Sequence, residues 1–214
     1  MQQIAVLDYG MGNLRSVSKA LEHAAPNHSI VVTSDQSVIE QSDKIVCPGQ
    51  GAAADCMAAL REHKLVETIQ QSITTRPFLG ICMGLQVLFT HSEENDGIPC
   101  FDVLPGEVKR FSKPLYDAQG QRLKVPHMGW SKVRLAQQHP LWHGIQDDDY
   151  FYFAHSYFCV PHKIQSIVGT CHYGQEFAVA VQGEALFACQ FHPEKSADSG
   201  MQLLKNFCAW SGAV

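Results

Sequence analysis

The 214-residue sequence lacks the features that mark membrane, secreted and nucleic-acid-binding proteins. It contains no run of about 18 apolar residues, so we expect no transmembrane helix. The N-terminus has no basic segment and reaches an acidic residue at Asp8, which argues against a signal peptide. The formal net charge is −5 and the basic residues form no stripe, so we expect no nucleic acid partner. These absences favour a cytoplasmic protein.

The eight cysteines follow no pattern typical of a metal or redox site, because the sequence has no C-x-x-C pair. We therefore expect free thiols in a reducing compartment. Cys189 and His192 are three residues apart, and on a strand such residues face opposite sides of the sheet. They are therefore poor candidates for ligands of one metal ion. The sequence predicts no metal site and no cofactor.

The first half of the chain alternates short apolar segments with helical patterns, which is typical of a parallel sheet with helices on both faces. The turn that contains Gly10 and Gly12 opens the first helix, and Pro26 ends it. Pro48 and Gly49 are expected to cut the third strand. The predicted strands are 4–7, 29–33, 44–47 and 77–81, and the predicted helices are 13–25, 52–61, 65–73 and one that begins at residue 83.

The second half contains apolar segments joined directly by turn signals, which predicts antiparallel strands added to the sheet. These segments are 103–111, 124–135, 150–160, 167–172, 177–181 and 186–191, and a last helix is predicted at 199–210. The chain has no linker or repeat, and its length suits one compact core. We predict a single domain over residues 1–214. Its fold is α/β, with a mostly parallel central sheet, helices on both faces and antiparallel additions in the C-terminal half.

Cys82 is the candidate nucleophile. It lies in the pattern G-x-C-x-G between a predicted strand and a predicted helix, where small residues permit the sharp turn of a nucleophile elbow. A helix N-terminus favours the reactive thiolate, and the amide of Met83 would point toward an oxyanion. A random cysteine is more often a buried structural residue, but the flanking glycines favour the catalytic interpretation here. The other seven cysteines are interpreted as structural.

His192 and Glu194 are the candidate base and its orienting carboxylate. Residues two apart on an extended segment share a face, so both side chains can project to the same side. Glu194 can then bond one imidazole nitrogen while the other serves Cys82. The triplet H-P-E alone is weak, because surface loops contain it often. Together with an upstream elbow cysteine it predicts an acyl-transfer triad.

The elbow GICMGLQ (80–86) and the late HPE (192–194) resemble the class I, triad-type glutamine amidotransferases. Further segments resemble one branch of that class, the glutaminase subunits of imidazole glycerol phosphate synthase in histidine biosynthesis. These segments are DYGMGNLRS (8–16), PGQG (48–51), VLPGEV (103–108), VPHMGW (125–130) and HSY (155–157). The matches cover nearly the whole chain in the expected order. The resemblance implies hydrolysis of L-glutamine to glutamate and ammonia.

The resemblance also implies roles for residues outside the triad. Gly51 and Gln86 would hold the substrate, and the backbone of Ser156 and Tyr157 would read its α-amino and carboxylate groups. The loop 48–51 would supply the second oxyanion donor through the amide of Gln50, beside that of Met83. Many relatives have a small aliphatic residue in place of Gln50, but a backbone donor does not depend on its side chain.

The partner implied by the resemblance is a (β/α)8-barrel cyclase subunit, which would form a heterodimer with this chain and receive ammonia through its interior. Asn13, Met128, Trp130 and Lys195 lie in motifs that resemble the docking face. Plainer interpretations are a helix N-cap for Asn13, a core side chain for Trp130 and a solvated charge for Lys195.

Three other functions are consistent with the same motifs. The first is the glutaminase subunit of another amidotransferase, such as pyridoxal phosphate synthase. The second is a stand-alone cysteine hydrolase of γ-glutamyl compounds. The third is a catalytically inactive regulatory module, against which the complete set Cys82, His192 and Glu194 argues.

Overall fold

The alternation of short strands and helices is found in the structure, a computed structural model that describes residues 1–213. The helices are α1 (Leu14–Ala24), α2 (Gln36–Gln41), α3 (Ala53–Glu62), α4 (Val66–Thr75), α5 (Met83–Gln86) and α6 (Ala197–Ala209). Single 3-10 turns occur at Glu94–Asp96, Pro140–Trp142, Ile164–Ser166 and Pro193–Lys195. None of the helices within these residues has the length and apolar character needed to cross a membrane.

Fifteen strands are present in the described residues. They are β1 (Gln3–Leu7), β2 (Ser29–Thr33), β3 (Lys44–Gly49), β4 (Phe78–Cys82), β5 (Phe89–Ser92), β6 (Ile98–Pro99), β7 (Leu104–Arg110), β8 (Leu115–Tyr116), β9 (Arg122–Leu123), β10 (His127–Leu135), β11 (Asp149–His155), β12 (Tyr157–Pro161), β13 (Ile167–His172), β14 (Glu176–Gln182) and β15 (Leu186–Cys189). Thirteen of them form one sheet, and β8 and β9 form a separate pair.

The parallel part of the sheet has the order β2-β1-β3-β4-β15. Apart from the partly exposed edge strand β2, its strands are buried on both faces, because alternate residues enter two separate cores. On β1, Ile4 and Val6 join the core that α1 and α6 cover, while Ala5 and Leu7 join the core under α2, α3 and α4. The prediction of a mostly parallel sheet with helices on both faces is confirmed.

The C-terminal strands extend the sheet mostly by antiparallel pairing, as predicted. β14 is antiparallel to β15, β13 and β12, and the sheet divides there into two branches. One branch runs through β13, β10 and β11, and the other runs through β12, β7, β5 and β6. The pair of β5 and β7 is an exception, because these two strands are parallel.

Several element boundaries differ from the prediction. β3 continues through Pro48 to Gly49, so the expectation that these residues cut the strand was wrong. β1 pairs with β3 only as far as Val46, so Pro48 needs no hydrogen bond toward that side. Ser156 separates β11 from β12, where one continuous strand was predicted. The sequence did not predict α2, β5 or β6, and α5 is a single turn.

The carboxyl ends of three parallel strands lie side by side at one edge of the sheet. Gly49 on β3 is opposite Cys82 on β4, and Ile81 on β4 is opposite Cys189 on β15. Open α/β sheets bind ligands beyond the carboxyl ends of their strands. The fold therefore brings the segments after β3, β4 and β15 together where a ligand is expected.

Candidate active site

Cys82 ends β4 in a strained backbone conformation. Its φ of 55° and ψ of −105° lie in a region that residues with a side chain rarely adopt. The residue is buried, and the chain turns directly into α5 at Met83. This is the sharp strand-to-helix turn of a nucleophile elbow. Because α5 has only four residues, its dipole is weaker than that of a full helix, and the turn itself presents the sulfur.

Two glycines let the elbow pack closely against its neighbours. A Cβ atom on Gly84 would overlap the carbonyl oxygen of Cys47 on β3. A Cβ atom on Gly80 would lie 2.6 Å from the carbonyl oxygen of Gly84 and 3.0 Å from the Cβ of Ala188. The G-x-C-x-G pattern is therefore required by the contact of α5 with β3, β4 and β15.

His192 and Glu194 lie beyond the end of β15, with Nδ1 of the imidazole 2.9 Å from Oε1 of the carboxylate. Their side chains are 3% and 1% exposed. Burial by itself would lower the pKa of His192, but hydrogen bonds to Cys82 and Glu194 and their negative charges raise it to about 10. Nδ1 of the imidazole thus bonds the carboxylate of Glu194, while the ring and Cys82 line the same cavity, which is the order that a nucleophile, base and orienting group require.

The backbone of His192 is fixed from two sides. Its amide donates to the carbonyl oxygen of Tyr152 at 2.9 Å, and its carbonyl accepts from the Ser196 hydroxyl at 2.6 Å. Ser196 is fully buried. These bonds hold the imidazole in place before any ligand binds.

A cavity of about 320 Å³ opens beside Cys82. Its lining includes every residue predicted for the triad except Glu194, and every residue predicted for substrate or oxyanion contacts, namely Gln50, Gly51, Cys82, Met83, Gln86, Ser156, Tyr157 and His192. Glu94, Pro126, Ala154, His155 and Lys195 complete the wall. Residues from widely separated parts of the sequence thus meet in one cavity, and Glu194 supports it from behind His192.

The loop 48–51 is held by two side chains from the core. The hydroxyl of Tyr9 donates to the carbonyl oxygen of Pro48 at 2.6 Å, and the thiol of Cys56 donates to that of Gln50 at 3.4 Å. Burial raises the pKa of Tyr9 above its usual value and that of Cys56 to about 12, so both keep their protons and remain donors. The peptide between Gly49 and Gln50 lies between these two anchored carbonyls, beside Cys82.

Gln190 and His155 were missed by the sequence analysis. The Nε2 of Gln190 donates to the Sγ of Cys82 at 3.6 Å, and its Oε1 accepts from the Nε2 of Gln86 at 2.9 Å. The carbonyl oxygen of Tyr157 accepts from Gln86 at 3.2 Å and from Nδ1 of His155 at 2.7 Å. Gln190 precedes His192 by two residues. The alternation of side chains that predicted a shared face for His192 and Glu194 could therefore also have placed Gln190 on that face.

Three of the four residues predicted to contact a partner are exposed, and two of these form an aromatic and cationic surface with Tyr152. Met128 is 65% exposed and Trp130 is 50% exposed. Trp130 packs edge-on against Tyr152 at 6.1 Å between ring centroids, and the Nζ of Lys195 lies 5.9 Å from the centre of the Tyr152 ring. The core interpretation of Trp130 is therefore wrong. We call Met128, Trp130, Tyr152 and Lys195 the aromatic patch.

The aromatic patch borders the cavity. Lys195 belongs to both, and Met128 on β10 is opposite Ala154 of the cavity wall on β11. Asn13 stands apart from the patch as the N-cap of α1, where its side chain accepts from the amide of Ser16 at 3.3 Å. The N-cap interpretation of Asn13 is thus confirmed, and a partner contact there stays a prediction.

All eight cysteines are free thiols. Within residues 1–213, no group of three or more His, Cys, Asp or Glu side chains is arranged so that it could hold a metal ion. Cys189, which is two residues before Phe191, directs its thiol to the carbonyl of that residue at 3.5 Å.

The chain is similar to known proteins in sequence and in fold. The family model for class-I glutamine amidotransferases matches residues 5–210. The imidazole glycerol phosphate synthase subunit HisH of Thiobacillus denitrificans is 53% identical, with 97% of this chain and 91% of that protein covered. Subunit HisH 1 of Pseudomonas aeruginosa is 51% identical, with 99% of each covered. Among solved structures, PurLQS from Thermotoga maritima has a TM-score of 0.73 at 17% identity, with 97% of this chain and 98% of that chain covered, which is similarity of fold.

Proposed function

Because the chain belongs to the class I glutamine amidotransferases and, within them, to the HisH subunits of imidazole glycerol phosphate synthase, we propose that Cys82, His192 and Glu194 hydrolyse L-glutamine to glutamate and ammonia. The observation that supports the assignment of the triad is the buried imidazole of His192, which bonds Glu194 at 2.9 Å and shares the cavity wall with Cys82. Residues 1–214 then act as one amidotransferase domain.

The reaction is an acyl transfer in two steps. His192 takes the proton of the Cys82 thiol, and the sulfur attacks the side-chain carbonyl carbon of glutamine. The imidazolium then gives that proton to the leaving nitrogen as the carbon–nitrogen bond breaks, and ammonia departs. A water molecule then attacks the γ-glutamyl thioester while His192 takes its proton. The carbon–sulfur bond breaks, glutamate is released and the thiol is restored. Glu194 stabilises the charged imidazole in both steps.

Two backbone amides form the proposed oxyanion hole, those of Met83 and Gln50. Met83 follows the nucleophile at the start of α5, and Gln50 follows Gly49, which is opposite Cys82 in the sheet. Loss of one such donor lowers the rate by about 10²–10³. The anchors from Tyr9 and Cys56 to either side of the Gly49–Gln50 peptide would therefore influence the rate through this donor.

The substrate is proposed to lie against Gly51, Gln86, Ser156 and Tyr157. All four line the cavity beside Cys82. The carbonyl of Tyr157 already accepts two hydrogen bonds within the protein, and that of Ser156 accepts one from the amide of Phe111. The backbone amides of the Ser156–Tyr157 segment are therefore the atoms proposed to bind the amino-acid end of glutamine.

The partner is proposed to be a (β/α)8-barrel cyclase that forms a heterodimer with this chain in the cytoplasm. It would use the ammonia to make imidazole glycerol phosphate and aminoimidazole carboxamide ribonucleotide in histidine biosynthesis. The aromatic patch and Asn13 would contact it. Because the patch borders the cavity, a partner docked there would cover the mouth and keep ammonia from solvent. We expect glutamine hydrolysis to stay slow until the cyclase holds its nucleotide.

The test is glutamate release by the purified chain alone and with the cyclase and its nucleotide, with Cys82→Ala as the blank. We expect strong stimulation by the complete complex and none in Cys82→Ala. High activity that ignores the cyclase would instead identify a stand-alone hydrolase or a subunit of another amidotransferase. Complete inactivity of the wild-type complex would identify a regulatory module.

A further inference from the structure

A buried chain of hydrogen bonds joins the candidate nucleophile to the substrate wall of the cavity. It runs from the Sγ of Cys82 to Gln190, then to Gln86 and to the carbonyl oxygen of Tyr157. Gln190 is fully buried and Gln86 is 2% exposed. Buried amides of this kind are normally satisfied, so the contacts that each one makes define its orientation.

The orientation of both side-chain amides follows from the backbone carbonyl at the end of this series of hydrogen bonds, because that group cannot exchange donor for acceptor. The backbone carbonyl of Tyr157 is only an acceptor, so Gln86 must direct its Nε2 toward it at 3.2 Å. The same Nε2 lies 2.9 Å from Gln190, which must therefore present its Oε1. The Nε2 of Gln190 is then directed at Cys82, at 3.6 Å from the sulfur. The main chain thus determines which atom of Gln190 meets the nucleophile.

Within this series of hydrogen bonds, one side-chain oxygen has no partner in the described structure. The Oε1 of Gln86 is buried and accepts no hydrogen bond, while Gln86 lines the cavity. A buried acceptor without a partner is costly, at about 1–3 kcal/mol. It favours a ligand that brings a hydrogen-bond donor, which the ammonium and carboxamide groups of glutamine both supply.

We propose that Gln190 is a further catalytic residue, which donates a hydrogen bond to the sulfur of Cys82 and at the same time fixes the amide of Gln86 as an acceptor for the substrate. The proposal rests on the proposed glutaminase function. A donor at the sulfur stabilises negative charge there when the thiolate forms and again when it leaves the thioester. It also restrains the side chain of Cys82 so that the sulfur stays between His192 and the bound carbonyl.

The two contacts of Gln190 predict separate kinetic effects. The contact with the sulfur acts on the chemical step and therefore on kcat. The contact with Gln86 acts on the bound substrate and therefore on KM. A purely structural role in the core would change stability and leave both constants of the folded enzyme near their wild-type values.

The test is a double-mutant cycle in the complex with the cyclase and its nucleotide, with Gln190→Met, Gln86→Met and the double variant. We expect Gln190→Met to lower kcat by about 10- to 100-fold, since a hydrogen bond to a charged group is lost, and to raise KM. In the Gln86→Met background, the effect of Gln190→Met on KM should disappear while its effect on kcat persists. Gln182→Met removes a glutamine donor that is not part of the cavity wall, to the Gln165 carbonyl, and is the matched control.

Gln190→Asn provides a second variant that keeps an amide in the core but is too short to reach both partners. We expect the same direction of change, with thermal unfolding used to confirm that each variant is folded. Kinetic constants of folded Gln190→Met and Gln190→Asn within twofold of Gln182→Met would overturn the proposal. Wild-type complex without glutaminase activity would overturn the proposed function itself, so the two failures are distinguishable.

Discussion

At the scale of single residues, the contact between His192 and Glu194 links the proposed catalysis to stability. Burial opposes a charge on His192, yet the hydrogen bonds and charges of Cys82 and Glu194 raise its pKa to about 10. A histidine whose pKa is raised on folding contributes stability that is fully present below its unfolded value of about 6.5. That contribution is lost as the pH rises through about 10.

We therefore predict two effects of Glu194→Gln. Its glutaminase kcat should fall by about 10²–10⁴-fold, because the imidazole loses the group that orients and stabilises it. The difference in free energy of unfolding from wild type, measured by urea denaturation, should be larger at pH 6.5 than at pH 10. Glu22→Gln, at an exposed position of α1, is the control and should show neither effect. A difference that is the same at both pH values would contradict the assignment of a charged imidazole.

The site residues that could be predicted from the sequence are those that belong to a short local motif. The glycines around Cys82 predict a sharp strand-to-helix turn. The spacing of His192 and Glu194 predicts that their side chains lie on the same face of an extended segment. Gln190 was not predicted as a site residue, although it shares the face of His192. Its role depends on a contact with the sulfur of Cys82, which is 108 residues away in the sequence. The hydrogen bonds from Tyr9 and Cys56 to the loop 48–51 were not predicted either. Tyr9 and Pro48 are 39 residues apart, and neither local sequence contains a pattern that predicts the bond.

At the scale of elements, the elbow depends on the contact between α5 and β3. A methyl group on Gly84 would overlap the carbonyl oxygen of Cys47, and β3 is a buried strand that cannot easily move. We predict that Gly84→Ala destabilises the protein by about 3 kcal/mol, at the upper end of the usual range for overpacking. The change should be measured by denaturant unfolding.

The matched control for Gly84→Ala is Gly183→Ala. A methyl group there would lie 3.2 Å from the Cβ and 3.4 Å from the Cδ2 of Leu186 and would overlap no backbone atom. We expect a change within about 1 kcal/mol, because the side chain of Leu186 has to give way by only a few tenths of an ångström. Equal stability of the two variants would contradict the account of the elbow as a packing constraint.

The boundaries of an element could be predicted where its apolar residues keep a single helical or strand periodicity and a turn or capping residue ends the pattern. β2 and β13 match their predicted bounds, and α1 begins at the N-cap Asn13. β3 and α5 do not match, because their ends are decided by pairing with β4 and by packing under Cys47 rather than by local propensity. The break at Ser156 also depends on pairing. The residues before it belong to β11, which pairs with β10, and those after it belong to β12, which pairs with β7.

At the scale of the whole molecule, the sequence predicts the layers but not the order of the strands. Alternating elements require helices on both faces of a parallel sheet. The division of the sheet at β14 depends on contacts among segments far apart in the chain, which no local pattern encodes. That division places β10 and β11 beside the cavity and so brings Met128 and Trp130 to its border.

The aromatic patch carries the last prediction. Trp130 is half exposed and packs against Tyr152, and large aromatic side chains at the centre of an interface often dominate its binding energy. We predict that Trp130→Ala raises the Kd for the cyclase subunit by about 10- to 30-fold, measured by calorimetry. Its free energy of unfolding should change little, because the ring is not part of either core cluster. Ile164→Ala is the matched control, since Ile164 is 76% exposed and lies outside the cavity wall. The same Kd for both variants would place the partner on another face and would leave the mouth of the cavity open to solvent in the complex.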